Sequence, residues 1–181
     1  MFHTTGPCTL SGMDPPFRFA VLTASDRAAR GARSDESGPL ASALLREGTG
    51  GECAAQMLLP DDRAAIAREI VRLADGLRCD LVVTTGGTGL GPRDVTPEAT
   101  RDAIDREAPG IGEALRAAGR ARTPLAALSR GTAGMRGRTL VVNLPGSPRA
   151  VQEGIAVLLP ILPHAIRIAR GGTADCAAEN R

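Results

Sequence analysis

The chain alternates between short apolar runs and stretches in which apolar residues recur at helical spacing. The runs lie at positions 19–22, 53–59, 80–84 and 139–143, and each is followed by polar or glycine-rich residues. Apolar runs this short are typical of strands that are buried on both faces of a sheet. The pattern therefore predicts four strands.

Helical spacing is clearest after position 61, where Ile66, Ile70, Leu73 and Leu77 follow at intervals of four, three and four residues. This spacing puts the four side chains on one face of a helix. Start and stop signals predict further helices at 37–47, 97–107, 111–118 and 148–159, and a last helix that ends near Arg170.

Strands that alternate with helices indicate the α/β class, with a three-layer, doubly wound, mostly parallel sheet that has helices on both faces. The length of 181 residues fits one domain with a real core. We predict a single domain over 17–171, a disordered N-terminal tail over 1–16 and a C-terminal tail over 172–181. Met13 is an alternative start to Met1.

The basic residues limit the possible reaction mechanisms, because all 22 of them are arginine and the chain has no lysine. This excludes a P-loop lysine, a Schiff base and a lysine-bound nucleotidyl intermediate. The net charge is only +2, and the chain has no Trp, no Tyr and three Phe. The sequence therefore predicts neither a basic surface that would bind nucleic acid nor aromatic side chains that would stack on bases.

The four cysteines, Cys8, Cys53, Cys79 and Cys176, form no CxxC motif, so we expect reduced thiols rather than a zinc or redox centre. No run of 18 apolar residues and no secretory leader pattern is found. These features predict a cytoplasmic protein that is not inserted in a membrane.

The glycine loop at 84–92, TTGGTGLGP, is the most informative stretch of the chain. It follows a strand and precedes an Arg93-Asp94 pair and a helix start at Thr96-Pro97, an order that suits a phosphate. Pro92 stands where a P-loop needs lysine and where G-x-G-x-x-G needs its last glycine, so neither common nucleotide motif fits. An ordinary tight connection is the alternative.

Polar residues follow each predicted strand, and the carboxyl ends of parallel strands meet at one edge of the sheet. We therefore expect four segments to converge on one site, namely 25–27 (Ser-Asp-Arg), Asp61-Asp62, the glycine loop with Asp94, and 143–147. Asp61 and Asp94 beside a phosphate loop predict a Mg²⁺ site, because Mg²⁺ takes one or two carboxylates plus substrate phosphates.

Each of these features also has a structural alternative. Asp61 is a candidate N-cap, and Asp94 is a candidate partner of Arg93. The hydroxyls of Thr96 and Ser147, each followed by proline, are predicted to cap helices. His3 and His164 are too far apart for a histidine metal site, and we interpret His164 as a surface or packing residue.

Two motifs carry a resemblance to a known family. The stretch 84–100, with TTGGTG and RDVTPEAT, resembles the signature of the molybdopterin adenylyltransferase family of the MoaB/Mog fold, and NLPGSP at 143–148 resembles its second signature. The similarity extends over about 17–171 and includes 25–27, Pro60-Asp61 and Ser129-Arg130.

The resemblance implies an enzyme of molybdenum cofactor biosynthesis that transfers AMP from ATP to the terminal phosphate of molybdopterin, with Mg²⁺, and releases pyrophosphate. It implies a cytoplasmic homotrimer that acts upstream of a molybdenum insertase. Asp61 and Asp94 would be the essential acids and the metal ligands. By the same resemblance, the substrate would contact Ser25, Asp26, Thr88 and Ser129, and the nucleotide and phosphates would contact Gly86, Gly87, Thr88, Gly89, Asn143, Pro145, Gly146 and Ser147.

Two other functions remain open at this point. One is a protein that binds molybdopterin without turning it over, and the other is a nucleotide-binding α/β domain with a different phosphorylated substrate. The extra domains of the larger insertases are not seen in this sequence, so we do not expect insertion activity.

Overall fold

The computed structural model describes residue 10 and residues 12–172. Its strands are β1 (Arg18–Ala24), β2 (Glu52–Leu59), β3 (Leu81–Thr85), β4 (Arg106–Glu107), β5 (Ala133–Arg136) and β6 (Thr139–Leu144). They form one sheet in the order β2-β1-β3-β6-β5-β4. The first four of these are parallel neighbours, whereas β5 and β4 join the edge antiparallel.

Five helices lie between strands in sequence and two follow the last strand, and the predicted helices are confirmed within a few residues except at one end. They are α1 (Asp26–Ala29), α2 (Ser37–Thr49), α3 (Arg63–Val71), α4 (Thr96–Ala103), α5 (Pro109–Arg120), α6 (Pro148–Leu158) and α7 (Leu162–Ala169). A π-helical turn, Arg72–Gly76, extends α3, and a 3-10 helix, Pro124–Leu128, follows α5.

The alternation of side chains along the central strands produces two separate cores. Phe19 and Val21 of β1 point to one face, which α2, α6 and α7 cover. Ala20 and Leu22 point to the other face, where they pack with Ile66 of α3 and residues of α4. This arrangement confirms the predicted three-layer, mostly parallel architecture.

The helix predicted at 97–107 was wrong at its end, because α4 stops at Ala103 and the chain then enters β4. The Asp105 N–H donates to the Met135 carbonyl oxygen at 2.8 Å, and the Ala108 N–H donates to Ala133 at 2.8 Å. Pairing with β5 therefore overrides the helical pattern. Strand β5 was not predicted from the sequence, because it is only four residues long and contains Gly134.

The predicted tails lie largely outside the described residues. Leu10, which falls within the predicted N-terminal tail, is buried in the same core cluster as Phe17. Cys8 and Cys176 also lie outside, whereas Cys53 and Cys79 are free thiols. Burial raises the pKa of the Cys79 thiol to about 11.

No single helix in the described part of the chain is long and apolar enough to cross a membrane, whereas α6 and α7 meet both criteria only as a bent pair.

Arg78 adopts a left-handed backbone with φ 53°, alone among the described residues other than glycine. It follows the π-helical turn, where the Cys79 N–H donates to the Leu73 carbonyl oxygen at 3.2 Å, a helix ending that glycine usually closes. Because a side chain in this conformation costs about 1 kcal/mol, we expect Arg78→Gly to raise the free energy of unfolding by about 0.5–1 kcal/mol in urea titrations.

A matched control comes from Gly50, which closes α2 with φ 67°. Gly50→Ala should lower the free energy of unfolding by about 1 kcal/mol. If Arg78→Gly were less stable than the parent protein, strain at this position would not be the dominant effect.

Candidate active site

The sheet order reverses between β1 and β3, because the chain places β2 on one side of β1 and β3 on the other. In doubly wound sheets, ligands bind at the carboxyl ends of the strands at such a point. A cavity of about 320 Å³ lies there, and its walls are formed by Thr23, Ala24, Ser25, Ala28, Arg33, Ser34, Asp35, Glu36, Ser37, Asp61, Gly86, Gly87, Asp94, Gly146, Ser147 and Pro148.

Asp26 and Asp61 hold each other at the ends of β1 and β2. The Asp26 N–H donates to Asp61 Oδ2 at 2.8 Å, and the Asp61 N–H donates to Asp26 Oδ1 at 3.2 Å. Arg93 donates to both carboxylate oxygens of Asp26, at 2.9 and 3.0 Å. Its hydrogen bond holds the pKa of Asp26 below the usual range. Asp26 therefore orients Asp61, and the predicted Arg93-Asp94 pair does not form.

Asp61 does not cap α3, because its neighbour Asp62 does so by accepting the Ala65 N–H at 2.7 Å. The Oδ1 atom of Asp61 is buried without a hydrogen-bond partner. Burial is the main cause that raises the pKa of this carboxyl group, and the nearby charges of Asp26 and Asp94 act in the same direction. The Asp61 carboxylate in the folded protein is therefore buried without enough hydrogen bonds or positive charge to stabilise its ionised form.

The raised pKa of Asp61 has a consequence for stability. Its folded pKa lies above the ordinary value of 3.8, so the folded state binds this proton more readily than the unfolded state. The contribution of Asp61 to the free energy of unfolding therefore decreases as the pH rises from the ordinary aspartate pKa to the raised pKa of the folded state. Asparagine stays neutral throughout, so Asp61→Asn should be more stable than the parent protein at neutral pH.

Urea titrations at several pH values test this expectation. The gain in stability of Asp61→Asn over the parent protein should be absent below the ordinary aspartate pKa. It should grow between that pKa and the raised pKa of the folded state, and stay constant at higher pH. An advantage that is independent of pH, or a loss of stability at neutral pH, would contradict the assigned environment of Asp61.

Asp94 lies within the turn that its own loop makes. Its Oδ2 atom accepts the Gly91 N–H at 2.8 Å, and its backbone N–H donates to the Gly91 carbonyl oxygen at 3.0 Å. A Cβ atom on Gly89 would come 2.8 Å from the same Oδ2 atom. The glycines of the loop therefore make room for the Asp94 carboxylate.

The glycine loop also packs closely against its neighbours. A Cβ atom on Gly86, whose φ is 89°, would lie 2.3 Å from the Ala24 carbonyl oxygen. A Cβ atom on Gly87, whose φ is 61°, would lie 2.3 Å from Thr96 Oγ1 and 3.0 Å from Asp61 Oδ1. On Gly146 it would meet the Gly86 Cα atom at 3.1 Å. Glycine is thus required for three strand ends to meet at one point.

The structure brings seven of the predicted site residues to the walls of this one cavity: Ser25, Asp61, Gly86, Gly87, Asp94, Gly146 and Ser147. The Ser25 and Ser147 hydroxyls also cap helices, by accepting the N–H groups of Ala28 and Ala150 at 3.2 Å each. Thr96 was wrongly predicted as a cap, because it lies inside α4 and its Oγ1 atom is buried without a partner.

The remaining predicted residues lie near the cavity but do not line it. The amide of Asn143 is buried and spans neighbouring elements, donating to Thr84 and Thr100 and accepting from the Thr132 N–H. Thr88 is buried, and Gly89 lies against the Asp94 carboxylate. Ser129 lines two clefts, of about 90 and 370 Å³, and Pro145 also lines the smaller one.

Several residues of the cavity were missed by sequence reasoning. Arg33, Asp35 and Glu36 come from the polar loop before α2, and Arg33 is the one basic residue among those that line the cavity. Ser37 donates to Asp35 Oδ1 at 3.1 Å, and its Oγ atom lies 2.9 Å from Thr85 Oγ1. These residues could have been suspected from the sequence, because Arg33 lies in a polar loop that follows the end of a predicted strand.

Four acids and one arginine line the cavity, so a polyphosphate would meet net negative charge there. Within the described ranges, no three histidine, cysteine, aspartate or glutamate side chains are grouped to hold a metal ion. Asp61 and Asp94 can supply two oxygen ligands, and Asp61 Oδ1 has no competing partner. This donor set fits a hard cation that takes its other ligands from phosphates and water.

Comparisons with known proteins identify the family of the chain. The family model described as "Probable molybdopterin binding domain" matches residues 20–164. Molybdopterin adenylyltransferase of Helicobacter pylori strain J99 is 38% identical over 152 residues, which cover 83% of this chain and 86% of the relative.

A second relative, the molybdenum cofactor biosynthesis bifunctional protein of Synechococcus elongatus, is 43% identical over 151 residues, which cover 83% of this chain and 47% of the relative. The crystal structure of the molybdopterin biosynthesis enzyme MoaB from Thermus thermophilus superposes with a TM-score of 0.80 at 47% identity. It covers 86% of this chain and 97% of that one.

Proposed function

The chain belongs to the molybdopterin-binding family that these comparisons identify, and we propose that it is a molybdopterin adenylyltransferase of molybdenum cofactor biosynthesis. In the proposed reaction, an oxygen of the terminal phosphate of molybdopterin forms a bond to the α-phosphorus of ATP. The bond from that phosphorus to the bridging oxygen breaks, and pyrophosphate leaves. The observation that carries this proposal is the pair Asp61 and Asp94 beside the glycine loop at the switch point of the sheet.

The residues of the cavity would bind and orient the nucleotide. Gly86, Gly87 and Gly146 line the cavity, so their backbone N–H groups would be the donors offered to the phosphates. Arg33 would contribute positive charge, because it also lines the cavity. Chemistry of this type is accelerated mainly by positioning and charge stabilisation, so no covalent residue and no lysine are needed.

Mg²⁺ is the cofactor we propose, with Asp61 and Asp94 as its protein ligands. When bound, it would neutralise charge on the ATP phosphates. Asp26 would keep Asp61 in place through the reciprocal hydrogen bonds, and Arg93 would keep Asp26 ionised.

The pterin would bind on the other side of the segment 143–148. Asn143 and Pro145 line the smaller Ser129 cleft, whereas Gly146 and Ser147 line the nucleotide cavity. Ser129 and Arg116 line both clefts on the pterin side. This segment would therefore separate the two substrates and hold their phosphates close to one another.

Pyrophosphate release from Mg-ATP tests the proposal. Purified protein should release pyrophosphate only when molybdopterin is present. Saturable molybdopterin binding without pyrophosphate at any ATP concentration would support a binding protein instead. Failure to bind molybdopterin would favour a nucleotide-binding domain with another phosphorylated substrate.

We further propose a homotrimer in the cytoplasm that delivers its product to a molybdenum insertase. The exposed Leu125 and Leu128, three residues apart on the 3-10 helix, support association because they share one face. The bifunctional relative supports a downstream partner in the same pathway. The free thiols of Cys53 and Cys79 fit a reducing compartment. Sedimentation equilibrium and cell fractionation test the oligomer and the location.

A further inference from the structure

Arg130 lines the larger of the two Ser129 clefts and connects it to the loop that carries Asp94. Its backbone N–H donates to the Thr88 carbonyl oxygen at 2.9 Å. Its side chain donates to the Gly89 carbonyl oxygen at 2.7 Å, to the Asp94 carbonyl oxygen, and to the Glu98 carboxylate. One guanidinium group thus contacts both ends of the loop 89–94 and the helix that follows it.

Apart from the contacts of Arg130, the loop is held at only a few points, one of which is the pair that Arg93 forms with Asp26 at 2.9 and 3.0 Å. Its internal hydrogen bonds join Gly91 to Asp94, and the Thr96 N–H closes its base on the Gly87 carbonyl oxygen at 3.1 Å. Glycines allow many backbone conformations, so a loop that contains several of them needs outside contacts to hold one carboxylate in place. Arg130 supplies such contacts to the loop backbone, at the Gly89 and Asp94 carbonyl oxygens, from a segment 36 residues away.

The charge of Arg130 is matched within the protein. Its Nη1 atom pairs with Glu98 Oε1, and both side chains are only about a third exposed, at 33% and 31%. The other Glu98 oxygen, Oε2, is buried without a partner. A guanidinium neutralised in this way is a weak attractor for a substrate phosphate, so its fixed fork of donors matters more than its charge.

We propose that Arg130 is a positioning residue that holds the Asp94 carboxylate for adenylyl transfer and ties it to the cleft lined by the preceding residue, Ser129. This proposal rests on the proposed function of the site. Arg130 also lines the larger Ser129 cleft, but its side-chain hydrogen bonds go to the loop and to Glu98.

Arg130→Lys tests this role, because lysine keeps the positive charge but cannot make the three side-chain contacts together. We expect kcat to fall at least tenfold, while the KM for ATP changes less than threefold. Arg63→Lys is the matched control, because Arg63 makes a two-point pair with Asp102 of α4, at 2.6 and 2.7 Å, on the surface. Its kcat should stay within twofold of the parent protein.

Hydrogen–deuterium exchange of the peptide 88–95 supplies a readout that does not depend on activity. The exchange rate should rise about tenfold in Arg130→Lys and stay unchanged in Arg63→Lys. If Arg130→Lys does not fold, Arg130→Ala is measured with and without added methylguanidinium, which should restore slow exchange and part of kcat.

The outcomes separate the two proposals. If the parent protein releases no pyrophosphate, the proposed function fails, and exchange alone decides whether Arg130 fixes the loop. Parent-like kcat and exchange in Arg130→Lys would overturn the positioning role. A rise in the KM for ATP with unchanged kcat and exchange would overturn it too, in favour of phosphate binding.

Discussion

Asp61→Asn should lower kcat for pyrophosphate release roughly a thousandfold, and Asp94→Asn should do the same within about a factor of ten. Both changes keep the side-chain volume and remove one negative charge. Asp61 Oδ1 is buried without a protein partner, so its charge makes no contact that stabilises the fold. Asparagine should therefore be tolerated structurally at this position. The loss would therefore fall on the reaction, and urea titrations should show a folded protein in both variants.

Asp102→Asn is the control for a general effect of removing an acid. Asp102 pairs with Arg63 on the surface, outside the cavity, and its variant should retain kcat within about twofold. Parent-like turnover in Asp61→Asn and Asp94→Asn would remove both residues from the catalytic assignment, whatever the reaction is.

Gly86→Ala should lower the free energy of unfolding by about 3 kcal/mol or more. The new Cβ atom would lie 2.3 Å from the Ala24 carbonyl oxygen, which belongs to the backbone of β1 and cannot rotate away. The φ of 89° adds strain for any residue with a side chain. Relief of this clash would displace the glycine loop, so activity should also fall in the fraction of the variant that stays folded.

Gly110→Ala is the matched control, because it lies in the first turn of α5 and a Cβ atom there would meet nothing within 4 Å. It should be neutral or more stable by up to about 1 kcal/mol. Equal stability of the Gly86 and Gly110 variants would show that the loop can move away from β1, contrary to the close packing described above.

The fold could be predicted from sequence where hydrophobic periodicity was strong. The runs that became β1, β3 and β6 are buried on both faces, which is why the middle of each is apolar. The antiparallel edge formed by β4 and β5 could not be predicted, because a two-residue and a four-residue strand carry too little pattern. Its pairing with β6 decides the structure there.

The convergence of Asp61, Asp94 and Gly146 could be inferred because parallel strands bring their carboxyl ends to one edge. The individual partners could not. Sequence proximity suggested that Arg93 pairs with Asp94, whereas it pairs with Asp26, 67 positions away. The choice between Asp61 and Asp62 as the cap of α3 likewise depends on backbone geometry at the end of β2.

The most direct test follows the α-phosphorus of ATP into the pterin product. The protein is incubated with Mg²⁺, molybdopterin and ATP labelled at the α-phosphorus, and the pterin is then analysed by mass spectrometry. We expect a labelled molybdopterin that has gained one AMP, with one pyrophosphate for each molecule formed. Unmodified molybdopterin, with the label still in ATP, would contradict it.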